Sequence, residues 1–261
     1  MTRRSIQGAR AVVTGASSGI GREIVWELAR HEARLLVTAR RVDRLEELVK
    51  DLQAAGHQAH CIAGDITREE VRRQVLQAVR SLWGGIDILV NNAGVGAIGP
   101  FMDADEARLR RVMEVNFFAP LELLRAAFPL LQNGNKPIIA NVGSVLGHRA
   151  VPKKSEYCAS KFALHGFSDA LRAELRLFQI DVLLISPSTT ESEFFDSVLE
   201  NRAKLPWLSM GGMPARTVAR KAVRAIRRGS HEIILSPGGK LLVWLDRLCP
   251  PLVNRLVARL G

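Results

Sequence analysis

The sequence predicts an α/β fold: a doubly wound parallel sheet of about seven strands, with helices on both faces, in a single domain. Short apolar, β-branched runs alternate with longer amphipathic stretches along the 261 residues. Nearly all of these runs are apolar throughout, as strands buried on both faces should be, and strands that alternate with helices form a parallel sheet. No Pro-, Gly- or Ser-rich linker, internal repeat or low-complexity segment divides the chain.

The elements follow one another regularly along the chain. The predicted strands are 11–14, 35–38, a short run around Ile62, 86–90, 138–142, 182–185 and 233–235. The predicted helices are 19–32, 42–55 and 155–178. In the first two of these helices, apolar residues recur at helical spacing and form one stripe. Sheets of this kind bind ligands at the carboxyl ends of their strands, so functional motifs are expected directly after strands.

The charge of the chain limits the partners that it can have. The formal net charge is +11, and residues 204–261 hold eleven basic residues and only two acids. Such an excess is typical of proteins that bind nucleic acid, membranes or acidic ligands. The basic helix predicted around 216–228 lacks an aromatic stacking platform, so nucleic acid is not expected as a partner.

Cysteine usage and targeting signals point to a reducing compartment. Three cysteines and six histidines are scattered along the chain. Their spacing fits neither a disulfide framework nor a metal site. The N-terminus lacks the apolar stretch of a signal peptide, and no run approaches the ~18 apolar residues of a spanning helix. A cytoplasmic location is expected, with a peripheral position on the inner face of a membrane as the alternative.

A glycine-rich turn follows the first predicted strand. Residues 14–21 read TGASSGIG. Glycine permits a tight turn and lets a pyrophosphate approach the backbone, while the next helix offers free N–H groups to the anion. The turn therefore predicts a dinucleotide site in a Rossmann-type sheet. Its cofactor-binding residues are Gly15, Ser17, Ser18, Gly19, Ile20 and Gly21.

The residues after the second strand indicate which dinucleotide binds. An acid at this position would hold the ribose hydroxyls of NAD, whereas arginine suits the 2′-phosphate of NADP. The sequence has Ala39-Arg40-Arg41, without an acid, and Arg22 follows the glycine turn on the same side. Arg40 and Arg22 are therefore predicted to bind the phosphate, and NADP(H) is favoured over NAD(H).

The only tyrosine of the chain, Tyr157, lies four residues before Lys161 in a predicted helix. The two side chains therefore share one face, a turn apart. A free phenol has a pKa of about 10, and a nearby ammonium lowers it toward the working pH of a catalyst. Ser144, at the end of the fifth strand, adds a hydroxyl that can hold a carbonyl or alcohol oxygen.

These motifs together resemble the short-chain dehydrogenase/reductase family. They are TGASSGIG, the sequence Asn91-Asn92-Ala93-Gly94 after the fourth strand, Asn116, Ser144, and Tyr157 with Lys161. The resemblance covers the chain from about residue 8 to about residue 236. Five motifs in the right order and spacing are far more specific than any one of them alone.

The resemblance implies four catalytic roles. Tyr157 would be the general acid in carbonyl reduction and the general base in alcohol oxidation. Lys161 would lower the pKa of Tyr157 and hold the nicotinamide ribose. Ser144 and Tyr157 would bind the substrate oxygen, and Asn116 would support a water-linked proton relay to Lys161.

The resemblance also implies further cofactor contacts. The adenine would meet Asp65 and Ile66, and the ribose side would be lined by Asn92, Ala93 and Gly94. Pro187, Thr189 and Thr190 would offer contacts to the nicotinamide amide or the pyrophosphate.

One segment departs from the family pattern. Ser188 stands where the family usually has glycine, and Ser192 keeps the hydroxyl four positions further on. A positive φ at residue 188 would strain a serine.

Residues 1–239 are predicted to form the catalytic domain, with a substrate lid at about 190–213. The lid holds Phe194, Phe195, Leu199, Leu205, Pro206, Trp207, Leu208, Met210 and Met213. An apolar lid suggests a hydrophobic substrate.

Residues 240–261 are an apolar and basic tail that extends the same domain. The tail is expected to contact a membrane surface, to pack on another subunit, or to cover the substrate entrance of its own or a neighbouring subunit.

The sequence thus predicts an NADP(H)-dependent oxidoreductase that acts on a small hydrophobic carbonyl or secondary alcohol, with Tyr157 as proton donor and acceptor. A homodimer or homotetramer is expected. Two alternatives stay open: a 3-oxoacyl-thioester reductase, and a non-catalytic dinucleotide-binding sensor or scaffold. The complete set of Ser144, Tyr157 and Lys161 argues against the sensor, because a sensor needs no proton donor.

Overall fold

The structure, a computed structural model, describes residues 4–191 and 211–259. Within these ranges, the main strands are β1 Arg10–Thr14, β2 Arg34–Ala39, β3 Ala59–Ala63, β4 Ile88–Asn91, β5 Ile138–Val142, β6 Asp181–Ser186 and β9 Glu232–Ile234. They form one parallel sheet in the order β3-β2-β1-β4-β5-β6-β9. Two short strands, β7 Thr190–Glu191 and β8 Met213–Pro214, pair separately.

Helices connect the strands of the sheet. They are α1 Gly19–Arg30, α2 Val42–Ala54, α3 Glu69–Trp83, α4 Glu106–Met113, α5 Ala119–Gln132, α6 Ser155–Leu175, α7 Ala215–Arg228, α8 Pro237–Leu248 and α9 Pro250–Ala258. A π-helical turn, Glu114–Phe118, joins α4 to α5. A 3₁₀ turn, Val145–Gly147, follows β5.

The predicted doubly wound sheet is confirmed, and alternate residues of each central strand serve opposite faces. Ala11 and Val13 of β1 pack in one apolar core with α1, α2 and α7. Val12, between them, packs in a second core with α3, α5 and α6. Both faces of the strand are therefore buried, which explains why the strand sequences are apolar throughout.

Element ends differ from the prediction where a side chain or a left-handed residue interrupts the pattern. The strand predicted from residue 86 begins at Ile88, after Asp87, whose carboxylate accepts hydrogen bonds from Arg10. The helix predicted over 155–178 finishes as a 3₁₀ turn and ends at Gln179, whose φ is 57°.

The strand order reverses between β1 and β4. Chain order runs outward from β1 to β3 on one side and from β4 to β9 on the other. The connections of the two halves leave in opposite directions, so a crevice opens between the carboxyl ends of β1 and β4. This crevice is where the motifs of the sequence converge.

A buried ion pair fixes the start of α6, the helix that carries Tyr157. Arg108 on α4 and Glu156 in the first turn of α6 are 2.6 Å apart, and their side chains are only 2% and 4% exposed. Asp105 caps α4 by accepting a hydrogen bond from the backbone N–H of Arg108 at 2.7 Å. The pair therefore sets the position of α6 against α4 in the interior.

Replacing Glu156 by alanine should destabilise the protein strongly, because it leaves the Arg108 charge buried without its carboxylate. Removing one partner of a buried pair typically costs about 3–5 kcal/mol. Urea unfolding followed by circular dichroism measures the loss. The matched control is Glu106→Ala, which breaks the exposed pair of Glu106 with Arg110 and should leave the unfolding midpoint nearly unchanged. Equal midpoints for the two variants would contradict the role given to Glu156.

Candidate active site

One cavity of about 670 Å³ lies at the carboxyl ends of the parallel strands. The segments that follow six strands, from β1 to β6, contribute to its lining. Every predicted site residue lines this cavity except Arg22 and Asn116. The cavity has a basic end at Arg40 and Arg41 and a second end at Ser144, Tyr157 and Lys161.

Glycines shape the turn after β1 in two ways. Gly15 and Gly19 have φ angles of 66° and 54°, in the left-handed region that other residues rarely adopt. Gly21 leaves no room for a side chain, since a Cβ there would lie 2.3 Å from the carbonyl oxygen of Gly15. The turn therefore stays open to a ligand, and α1 points its N-terminus toward the cavity.

Hydrogen bonds between Thr14 and Asn92 hold the two sides of the crevice together. The Thr14 hydroxyl accepts from the backbone N–H groups of Asn92 and Ala93, each at 3.0 Å. The Asn92 amide donates to the carbonyl oxygens of Thr14 and Gly15, also at 3.0 Å. Asn92 lines the cavity, and both hydrogen bonds that its side-chain amide donates are to backbone carbonyls at the turn after β1. Sequence reasoning missed Thr14, whose strand position gave no sign of this role.

The basic end differs in part from the prediction. Arg40 is exposed at the rim of the cavity, whereas Arg41 lies against the glycine turn, where its guanidinium donates to the hydroxyls of Ser17, at 3.2 Å, and Ser18. Arg22 lies outside the cavity and pairs with Asp51 of α2 at 3.6 Å. Arg22 therefore lies apart from the arginines that line the cavity, because its position on α1 turns it toward α2.

Asp65 and Ile66 line the cavity, and their contact with the adenine stays a prediction. Burial raises the pKa of Asp65, but hydrogen bonds from Arg111 and Thr67 outweigh that effect and lower it to about 2. The Asp65 carboxylate lies 2.6 Å from the Arg111 guanidinium, so it stays ionised at neutral pH and is fixed in the wall. Arg111, on α4, had no signal in the sequence beyond its charge.

Ser144, Tyr157 and Lys161 meet at the other end of the cavity. The Tyr157 phenol is hydrogen-bonded to the Ser144 side chain. The Lys161 amine lies 5.7 Å from the centre of the Tyr157 ring and donates to the carbonyl oxygen of Val142 at 2.9 Å. The predicted helical spacing of Tyr157 and Lys161 therefore brings both side chains to the same wall.

Burial dominates the protonation of this end. It raises the pKa of Tyr157 to about 12, and the hydrogen bond with Ser144 offsets this only in part. It lowers the pKa of Lys161 to about 8. The net shift of the Tyr157 pKa is upward, opposite to the predicted direction, because burial outweighs the hydrogen bond with Ser144. At neutral pH the phenol therefore keeps its proton and can donate it to an oxygen atom in the cavity.

Asn116 lies behind the cavity rather than in its wall. Its side chain is buried in the π-helical turn, accepts from the backbone N–H of Val95 at 2.8 Å, and donates to Val95 and to the Ser160 hydroxyl. Ser160 in turn donates to the carbonyl oxygen of Tyr157 at 2.7 Å. These contacts tie Asn116 to the first turns of α6, and its predicted support of a water-linked relay to Lys161 stays a prediction.

The segment after β6 borders the cavity, and residue 188 does not have the positive φ that would strain a serine. Pro187, Thr189 and Thr190 line the cavity, and Ser188 is not among the non-glycine residues with positive φ. The backbone N–H of Met213 donates to the carbonyl oxygen of Thr189 at 3.0 Å. Ser192 and the predicted lid residues from Phe194 to Met210 lie outside the described residues.

The tail folds back on its own cavity. Helix α8 begins at Pro237, so the boundary predicted after residue 239 falls inside this helix, and Gly238, Gly239 and Leu242 line the cavity. Arg149 holds the tail through Asp246 of α8 and Asn254 of α9, each at 2.8 Å. The described residues thus place the start of α8 in the cavity wall, and the three predicted roles of the tail stay predictions.

Sequence reasoning also missed Lys154, at the N-cap of α6. It lines the cavity although the residue is only 8% exposed, and burial lowers the pKa of its amine. Nothing in its sequence neighbourhood distinguishes it from a surface lysine.

Over the described part of the chain, no helix has the length and apolar character needed to cross a bilayer.

Comparisons with known proteins give this arrangement a family context. The family profile described as short chain dehydrogenase matches residues 9–203. "Dehydrogenase/reductase SDR family member 7B" of Bos taurus is 31% identical over 268 residues, which cover 98% of this chain and 82% of the relative.

Two crystal structures show similar folds with nicotinamide dinucleotides bound. A short chain dehydrogenase/reductase from Burkholderia phymatum in complex with NAD has a TM-score of 0.87 and 25% identity, over 95% of this chain and 96% of that chain. A short chain dehydrogenase from Burkholderia cenocepacia in complex with NADP has a TM-score of 0.80 and 28% identity, over 91% of this chain and 100% of that chain.

Proposed function

The chain belongs to the short chain dehydrogenase family of oxidoreductases, and we propose that it uses NADP(H) to interconvert a hydrophobic carbonyl compound and its secondary alcohol. The observation that carries this proposal is a single cavity with paired arginines at one end and a buried tyrosine, serine and lysine at the other. The first end suits the 2′-phosphate of a dinucleotide, and the second suits proton transfer to a carbonyl oxygen.

The residues present fit a dinucleotide. The space that a Cβ at Gly21 would fill is taken by the carbonyl oxygen of Gly15, so the backbone of the turn approaches the cavity closely. Phosphates would rest against this turn and the N-terminus of α1. Asp65 and Ile66 would border the adenine, and Lys161 would hold the nicotinamide ribose.

NADP(H) is favoured over NAD(H) by the basic end. Guanidinium groups offer paired donors that match phosphate oxygens. Arg41 is held in place by the hydroxyls of Ser17 and Ser18, so little conformational freedom is lost when a phosphate binds. No acid replaces these arginines at the end of β2, where the ribose hydroxyls of NAD would need an acceptor.

The chain's own part in the reaction is alignment and proton transfer. The nicotinamide supplies or accepts the hydride. The Ser144 hydroxyl orients the substrate oxygen beside the Tyr157 phenol. Tyr157 donates its proton to that oxygen during reduction and takes a proton from the hydroxyl during oxidation. The Lys161 ammonium, whose pKa of about 8 keeps it mostly charged at neutral pH, stabilises the phenolate that reduction leaves behind.

The hydrophobic substrate class is supported by the wall around Tyr157. Val145, Leu146, Val151 and Leu242 line the cavity near the catalytic end. Apolar walls with a few convergent polar groups are typical of sites for small hydrophobic molecules. A 3-oxoacyl thioester also carries a reducible ketone, so acyl thioesters belong in the substrate panel.

Tyr157→Phe should abolish turnover and leave cofactor affinity unchanged. The variant loses the proton donor, and general acid catalysis contributes about 10²–10⁴-fold to the rate. NADPH oxidation is measured with a panel of hydrophobic ketones, aldehydes and 3-oxoacyl thioesters, and NADPH binding by fluorescence titration. Ser168→Ala is the matched control, because it removes a buried hydroxyl of the same helix outside the cavity and should keep turnover. A turnover rate of Tyr157→Phe within tenfold of the parent's would contradict the proposal. If the parent oxidises NADPH with none of these substrates, a dinucleotide sensor is favoured.

Replacing Arg40 and Arg41 together by aspartate should reverse the cofactor preference. Each charge-assisted hydrogen bond contributes about 1.5–3 kcal/mol, so loss of one raises KM for NADPH about tenfold to 150-fold. The new carboxylates can accept from the ribose hydroxyls of NADH, whose KM should fall. Arg22→Ala removes a nearby arginine that is paired with Asp51 outside the cavity, and it should leave the ratio of the two KM values unchanged. A parent that uses both cofactors equally would be incompatible with an NADP(H) preference.

A further inference from the structure

The two C-terminal helices expose large apolar side chains to solvent. Leu241, Trp244, Leu248, Leu252 and Leu256 are between 46% and 77% exposed. They recur every three or four positions across α8 and α9, so within each helix they lie along one side, which we call the outer apolar face. Exposed apolar patches of this kind mark binding surfaces rather than ordinary solvent-facing helices.

The opposite side of the same helices is anchored to the protein. Val243, Val253 and Val257 are no more than 9% exposed, and Arg149 bonds both helices through Asp246 and Asn254. The outer apolar face is therefore not the side of these helices that packs on the protein core. It is a second apolar side on helices that are already packed.

The charged residues that α8 and α9 contribute are almost all positive. Lys240, Arg247, Arg255 and Arg259 are exposed on or beside α8 and α9. The one acid within 237–259 is Asp246, which is engaged by Arg149 at 2.8 Å. An apolar face bordered by basic residues complements a bilayer whose surface carries anionic lipid.

We propose that α8 and α9 dock in the plane of an anionic membrane surface through the outer apolar face. With 12 and 9 residues, the helices are shorter than the ~20 residues that a spanning helix needs, so they would lie along the interface. Trp244, 59% exposed, suits the level of the headgroups. The basic side chains would meet lipid phosphates.

Docking of this kind would place the bilayer next to the catalytic cavity. Helix α8 carries Leu241 and Trp244 outward, while Gly238, Gly239 and Leu242 line the cavity from the same helix. An amphiphilic carbonyl or alcohol dissolved in the bilayer would then have a short path to Tyr157. This last step rests on the proposed function, whereas docking itself requires no turnover.

Vesicle sedimentation of the full chain tests the proposal without any activity measurement. The vesicles are phosphatidylcholine alone, or an equal mixture of phosphatidylcholine and phosphatidylglycerol. We expect the chain to sediment with the mixed vesicles and to be released by high salt, because screening weakens the attraction of basic residues to lipid. A chain that stays in the supernatant with both kinds of vesicle overturns the proposal, and so does equal, salt-insensitive binding to both.

Two sets of variants locate the contact. Trp244→Ser with Leu248→Ser should lower the bound fraction about tenfold or more by removing apolar area, and Arg247→Glu with Arg255→Glu should do the same by removing charge. Leu177→Ser is the matched control, since Leu177 is a leucine 87% exposed on a different surface, and it should bind like the parent. Circular dichroism and NADPH binding verify that each variant is folded.

The alternative outcome is that a second copy of the chain, rather than a membrane, binds the outer apolar face. In that case Trp244→Ser with Leu248→Ser would reduce the mass in sedimentation velocity, and vesicles would capture neither protein. Unchanged mass together with lost vesicle binding supports the membrane. Failure of Tyr157→Phe to lose turnover would leave this result untouched, so the two proposals fail separately.

Discussion

The burial of a phenol and an amine side by side in α6 is the constraint on which the site depends. Tyr157 and Lys161 can share one wall only because α6 is fixed against its neighbours. The buried pair of Glu156 with Arg108 holds the first turn of the helix, and the Ser160 hydroxyl bonds to the carbonyl oxygen of Tyr157. This support fixes the position of Tyr157, and burial of the phenol raises its pKa to about 12.

The other half of the site comes from the place where the sheet changes direction. Hydrogen bonds from Thr14 to the backbone after β4, and from Asn92 back to the turn after β1, join the two sides of the crevice. The close contact at Gly21 brings α1 against this junction. A dinucleotide that lies across the crevice therefore meets backbone groups that are already fixed, and Ser144, Tyr157 and Lys161 line the same cavity.

Local patterns predicted most of the fold and most of the site. Each correct prediction depends on a short stretch of chain: the continuous apolar runs, the glycine turn, and the four-residue spacing of Tyr157 and Lys161. The structure has the strands at these runs, and the turn and both side chains line the cavity. The features that the sequence did not predict depend on tertiary packing. Arg22 pairs with Asp51 of α2, burial raises the pKa of Tyr157, and Arg149 holds α8 beside the cavity. No local periodicity encodes these contacts.

The absorbance titration of the unliganded protein is the most direct test, because Tyr157 is the only tyrosine of the chain. Phenolate absorbance in the near ultraviolet reports this one group, with Tyr157→Phe as the baseline and circular dichroism as the control for unfolding. An ordinary phenol is half ionised at about pH 10. The expected result is almost no phenolate at that pH and a midpoint near 12. A midpoint at or below about pH 10 in the folded protein would contradict the account of Tyr157 as a buried acid.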